Sequence, residues 1–357
     1  MKNRITASFI LLLSCIFNHN ISACTGISLT AKDGSRIVAR TIEWGGSKLP
    51  SMYVIVPRGT EFTSYTPTGI NGLTFKAKYG LAGLSVVQKE FITEGMNEAG
   101  LSAGLFYFPG YGQYPDFDST NPSKTIADLQ VVCWILSQHA TVDEVKESVK
   151  NLQVTVLQGA STVHWRVADS SGRQIVIEFI DGRAQVYDNP AGVLTNSPGF
   201  PWQMTNLNNY VNLYPGAVAE QSWNNTSLRQ FGAGAGFLGL PGDVTPPSRF
   251  VRAFFYQATA PQQPDGETTA LQAFHILNNF DIPIGVEHKA GQAPDIPSAT
   301  QWTTASDMTN GRLYYRTMYN STVRCIDLRQ IDFSKTKFAA YPLDKEETEP
   351  IEHIKIK

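Results

Sequence analysis

The chain has 357 residues, 42% of them hydrophobic and 17% charged, enough apolar material to close one large core or two modest ones. Its 29 basic and 31 acidic residues are spread along the sequence and leave a formal charge of −2, without the basic stripe that neutralises a phosphate backbone. Nucleic acid is therefore excluded as an expected partner, and beyond the N-terminus no apolar run approaches the roughly 18 residues of a membrane span.

In chain order, Lys2 and Arg4, the apolar stretch Ala7 to Phe17 and the small-residue exit Ile21-Ser22-Ala23 have the layout of a signal peptide. Residues 1–23 are expected to be removed and the protein exported, to the periplasm or outside the cell. From Cys24 to Trp44 two alternating apolar runs flank Asp33-Gly34, a dipeptide suited to a tight hairpin turn. Strand-like runs follow at Met52–Val56, Leu84–Gln88, Leu101–Phe108, Thr162–Ala168 and Gln174–Ile180, the last turning at Asp181-Gly182. Helical spacing marks Thr125 to Gln138, with Ile126, Leu129, Val132 and Leu136 on one face. A second helix starts at Thr141, where Thr141 and Glu144 form a capping box. Arg249–Gln257 and Thr268–Phe280 are also helical in pattern, and a hairpin about Asn310-Gly311 has Leu313–Met318 as one arm. Runs of strands and helices without regular βα alternation predict an α+β fold: an αββα sandwich of two antiparallel sheets covered by helices. Residues 24–340 are expected to form one domain, with 341–357 as a charged, loosely held tail.

Cys24 directly follows the signal segment and admits three readings. Ile21-Ser22-Ala23-Cys24 satisfies a bacterial lipoprotein box, which would make the chain a lipidated, non-catalytic surface protein. A structural cysteine left near the terminus is the second. The third is chemistry, and the residues after Cys24 favour it: Thr25-Gly26-Ile27-Ser28-Leu29 runs straight into a strand, leaving no tether. An N-terminal cysteine carries its own base, because its α-amine titrates near ~7.7–8.0 and its thiol near ~8.5. While Ala23 stays attached, that nitrogen is an amide and accepts no proton.

Cys24-Thr25-Gly26, Asp33-Gly34, the Arg40–Trp44 strand end, Gly95-Met96-Asn97-Glu98-Ala99-Gly100-Leu101, Leu194-Thr195-Asn196-Ser197-Pro198, Gly239-Leu240-Pro241-Gly242-Asp243 and Ser248-Arg249-Phe250 occur in this order. In that combination the chain resembles the choloylglycine hydrolase family of N-terminal nucleophile hydrolases, which holds bile salt hydrolases and penicillin V acylases. The resemblance implies Cys24 as nucleophile, Arg40 beside its thiol, Asn196 as an oxyanion donor and Arg249 as a further active-site arginine. Glu43 stands where the family has an aspartate that binds the terminal amine. Tyr107 takes the other oxyanion position, asparagine in many bile salt hydrolases and tyrosine in penicillin V acylases, and serves there through its backbone N–H. The implied substrate is a small-molecule amide with a bulky apolar acyl group: a glycine- or taurine-conjugated bile salt, with penicillin V as runner-up. The implied assembly is a homotetramer.

Other motifs are set aside. Gly234-Ala235-Gly236-Phe237-Leu238-Gly239 matches a dinucleotide pattern but lacks a preceding strand and a following acid. His164, His275 and His288 stand apart from one another, so no metal is expected, and no cofactor. Cys133 lies in an apolar run and reads as an inert buried thiol.

Overall fold

The computed structural model describes residues 22–157, 161–288, 290–291, 293–296 and 298–356. The signal segment lies outside this description except for Ser22 and Ala23, which begin the first strand. Among the described residues thirteen strands make two large sheets: β1 (Ser22–Thr30), β2 (Arg36–Trp44), β3 (Ser51–Val56), β4 (Leu81–Val86), β5 (Ile92–Asn97), β6 (Leu101–Tyr107), β7 (Val163–Asp169), β8 (Gln174–Ile180), β9 (Arg183–Asp188), β10 (Ala299–Asp307), β11 (Arg312–Thr317), β12 (Asn320–Asp327) and β13 (Ala339–Pro342). One sheet runs β1-β2-β10-β11-β12 and the other β9-β8-β7-β6-β5-β4-β3-β13. Every pairing within the two is antiparallel.

The eight-stranded sheet is covered by α1 (Val131–Gln138) and α2 (Val142–Ser148), the five-stranded sheet by α4 (Pro246–Thr259) and α5 (Gly266–Leu277). A short α3 (Phe200–Asn206) packs on α4. Alternation along the strands explains the layering. In β7, Trp165 and Val167 join the core under α1 and α2, whereas His164 and Arg166 project from the opposite face. The second core, between the sheets and under α4 and α5, contains Ile27, Ala39, Phe106, Val176, Phe250 and Phe274. This is the αββα sandwich.

Several elements match the sequence pattern closely. The opening hairpin turns at Asp33-Gly34, with Gly34 at φ +89° and Asp33 Oδ1 accepting from Ser35 N–H. Thr141 caps α2 by accepting from Glu144 N–H at 3.2 Å, while the Glu144 carboxylate reaches Ala140 N–H at 2.7 Å. Two expectations shift. Helix does not begin at Thr125: Thr125–Ala127 pairs in parallel with Gln153–Thr155, and Ala127 N–H donates to Ser64 Oγ, so tertiary partners take the backbone groups a helix would use. The strand expected over Leu84–Gln88 instead spans Leu81–Val86, ended by Val87 at φ +64°. The hairpin Glu61–Thr66 with Gly69–Lys76 carries no strong sequence signal. At the C-terminus the sheet extends to Pro342, and Asp344 binds Arg324 at 2.5 Å.

Candidate active site

Cys24 lies two residues into β1 from the described start, opposite Ile42. Gly26 faces Arg40 directly, so Arg40 is the diagonal neighbour of Cys24 on the same face of the sheet. Its Nη2 donates to Cys24 Sγ at 2.6 Å. The rest of the guanidinium is also fixed: Nη1 crosses the interlayer to donate to Leu105 O at 2.5 Å, and Nε donates to Thr41 O of its own strand at 3.1 Å. The ring of Phe106 lies 4.2 Å beneath it. Gly26 makes room for that ring, since a Cβ there would sit 2.9 Å from Phe106 Cζ.

Asn196 reaches the same point from a different region of the chain. Gly26 and Leu194 form an antiparallel bridge, Gly26 N–H donating to Leu194 O at 2.7 Å. Continuing that register sets Asn196 against Cys24, where its Oδ1 accepts from Cys24 N–H at 2.9 Å. Its Nδ2 donates one hydrogen to Tyr107 O at 2.7 Å and retains a second. Arg249, in the first turn of α4, donates to Asn196 Oδ1 at 2.7 Å, to Thr25 Oγ1 at 2.8 Å and to Cys24 O. Glu43 sits on β2 opposite Ala23, with Thr300 Oγ1 at 3.4 Å from its carboxyl. Cys24, Arg40, Asn196, Arg249 and Tyr107 thus converge, and Glu43 adjoins them beside the Ala23–Cys24 peptide.

The electrostatics oppose one another. Burial pushes the Cys24 thiol up, and Arg40, the Tyr107 N–H and Arg249 pull it back down, while Glu43 raises it. Burial also lifts the Glu43 carboxyl to about 8, against the fields of Arg249 and Arg40. In the form described, where Cys24 is still joined to Ala23, a near-neutral pH leaves that carboxyl largely protonated. A free α-ammonium beside it would hold it lower.

Two residues of this interior were not singled out from sequence. Glu94 binds Arg166 at 2.6 Å and lies 3.9 Å from Arg40, all three fully buried. Arg40 and Arg166 lie over the same Phe106 ring, and the carboxylate between them offsets two buried cations. Gly104 leaves space for it, as a Cβ there would lie 2.1 Å from Glu94 Oε2. For Arg166 the available signal was a charged residue inside the strand-like run Thr162–Ala168; Glu94 falls in a strand, Ile92–Asn97, that no sequence run marked.

Two facing antiparallel sheets, with a buried cysteine held by a guanidinium near the head of the first strand, fit an amide hydrolase of cysteine type. Comparison with known proteins agrees. Residues 24–344 match the model of the linear amide C–N hydrolases, choloylglycine hydrolase family, a match that opens on Cys24. A bile salt hydrolase/transferase of Clostridium perfringens is 31% identical over 338 residues, covering 93% of this chain and 99% of that protein. A variant of the conjugated bile acid hydrolase of Clostridium perfringens superposes with TM-score 0.80 at 30% identity, over 93% of this chain and all of the other. The penicillin V acylase of Agrobacterium tumefaciens gives TM-score 0.71 at 25% identity, over 89% of this chain and 90% of the other. The chain belongs to the choloylglycine hydrolase family and is a hydrolase of linear amide C–N bonds.

Proposed function

We propose that the protein deconjugates glycine- and taurine-conjugated bile salts with Cys24 as an N-terminal nucleophile. The observation that carries the mechanism is the pair of contacts at Cys24, Sγ on Arg40 Nη2 and N on Asn196 Oδ1. Loss of residues 1–23 turns the Cys24 nitrogen into an α-amine, which takes the thiol proton directly or through one water. The thiolate attacks the amide carbonyl. The oxyanion that forms is bound by Tyr107 N–H and the second Asn196 Nδ2 hydrogen, each such donor typically worth about 3 kcal/mol. Collapse to a thioester expels the amine, which leaves with the proton held by the α-ammonium. A water then gives up a proton to the α-amine, attacks the thioester, and releases the acid with Cys24 restored. Glu43 steadies the α-ammonium, and Arg249 holds the Cys24 carbonyl and the Asn196 carboxamide.

The bile-salt assignment rests on the likeness to the bile salt hydrolase/transferase across nearly the whole of both chains. Penicillin V is the second reading, favoured by tyrosine at position 107. Side-by-side kcat/KM values for glycocholate, taurocholate and penicillin V test it, because discrimination is a difference in transition-state binding. A preference for penicillin V overturns the substrate while leaving the Cys24 chemistry in place.

Export and assembly belong to the same reading. Removal of residues 1–23 and delivery to the periplasm or beyond are checked by the intact mass of the mature protein: a free, unmodified Cys24 terminus supports it, and a lipid on Cys24 sinks it. A homotetramer is supported by the family likeness and by the exposed hairpin Gln221–Trp223 with Thr226–Leu228, where Trp223 and Leu228 face solvent; Phe231 and Leu238, further along the chain, are also exposed. Light scattering that returns a monomer ends that part.

A further inference from the structure

The turn that carries Asn196 is held at both ends by one buried pair from the eight-stranded sheet. Trp165 pairs with Ile177, and the next step of that register sets His164 of β7 against Glu178 of β8. His164 Nδ1 lies 3.1 Å from Glu178 Oε1, and Nε2 lies 3.1 Å from Thr195 O, the carbonyl that enters Asn196. Glu178 Oε1 also accepts from Phe200 N–H at 2.8 Å, at the start of α3. The imidazole stacks on Phe108, centroids 4.4 Å apart and planes 8° from parallel, and both members are fully buried.

Both ring nitrogens face groups that accept. Thr195 O can only accept, so Nε2–H donates to it; the alternative would press two lone pairs together in a buried interior. We propose that His164 and Glu178 are positioning residues that clamp the 195–200 turn and so aim the Asn196 carboxamide at the reacting carbonyl. The proposal rests on the role given to Asn196 above. An apolar pair of the same volume would fill this space but leave Thr195 O and Phe200 N–H without partners, so the polar pair fixes where the turn sits. Misplacing a donor by about 1 Å costs on the order of a hundredfold in rate.

The test separates the two ring nitrogens. The amide nitrogen of a glutamine reaches about as far as Nε2, and that of an asparagine about as far as Nδ1. His164→Gln therefore keeps the donor to Thr195 O, and His164→Asn keeps only the donor to Glu178. On glycocholate the expected kcat of His164→Asn is at least about tenfold below that of His164→Gln, with KM within about twofold. Thermal melts of the two variants show how much stability each has lost, which a purely structural pair would affect alike. Values of kcat that agree within about twofold overturn the clamp. Asn196→Ala is run alongside: if it keeps full kcat, the role of Asn196 fails rather than the clamp. Should either variant not fold, the same ratio is read with Glu178→Gln added to both, which removes the ionisable carboxyl.

Discussion

Cys24 and Cys133 are two buried thiols with opposite surroundings. Each is at most 2% exposed, and burial pushes both upward. Around Cys133, inside α1, lie the apolar side chains of the helical core, and the Glu90 carboxylate adds to the upward shift. Around Cys24, the Arg40 guanidinium touches the sulfur, with the Tyr107 N–H and Arg249 acting in the same sense. Burial by itself makes a thiol inert. Reactivity comes from fixed positive groups that burial makes stronger by removing competing water.

The largest break in this comparison is at the sulfurs themselves. Cys24→Ser should lower kcat about a thousandfold or more, because the hydroxyl is far harder to ionise. Cys133→Ala should leave kcat unchanged and cost about 1 kcal/mol of stability by urea unfolding, for one small side chain removed from a packed core. Next, Asn196→Ala should lower kcat about 10²–10³-fold with little change in KM, read from initial rates. Arg40→Met makes the Cys24 surroundings more like those of Cys133. The pH profile of iodoacetamide alkylation should move up by about 1–3 units, while Glu94 keeps its ion pair with Arg166, so no buried charge is left unpaired.

The smallest effect concerns Glu43. In the chain that retains Ala23, its folded value of about 8 lies above the ordinary 4.5. The folded state then binds more protons than the unfolded one across that window, so stability falls as pH rises from about 5 to about 8. Glu43→Gln should flatten this slope in melts taken over the same range. In the mature protein the α-ammonium lowers the carboxyl, and the slope should be shallower than in the chain that keeps Ala23. Equal slopes in the two forms would separate Glu43 from the terminal amine.

Much of the site was legible in sequence because short motifs carry it. Cys24 follows a small-residue exit, Arg40 lies on the return arm of a hairpin marked by Asp33-Gly34, and Asn196 and Arg249 lie in runs that match a family. Glu94, Arg166 and Glu178 were not legible: Arg166 and Glu178 are single charged residues within strand-like runs, Glu94 lies in a strand that no run marked, and the partners lie 14 to 72 residues away. Their burial becomes sensible only with the opposing charge in view. In sequence His164 stands apart from other candidate metal ligands and carries no further signal; the structure supplies the partners, Glu178 and Thr195, that connect it to Asn196.

The sequence by itself determined the local elements: the opening hairpin, the Thr141 cap, the helical faces of α1, α4 and α5, and the α+β class. Periodicity and turn chemistry report which face of a segment is buried, and those signals act over a few residues. Only the tertiary structure decided which segments meet. The Gly26–Leu194 bridge brings Asn196 to a cysteine 172 residues away, and the facing sheets let Arg40 span from β2 to the carbonyl of Leu105. Parallel pairing at Thr125–Ala127 likewise overrode a helical pattern. Register between distant strands is set when the whole core closes, because only then does each choice of partner bury or expose an entire face.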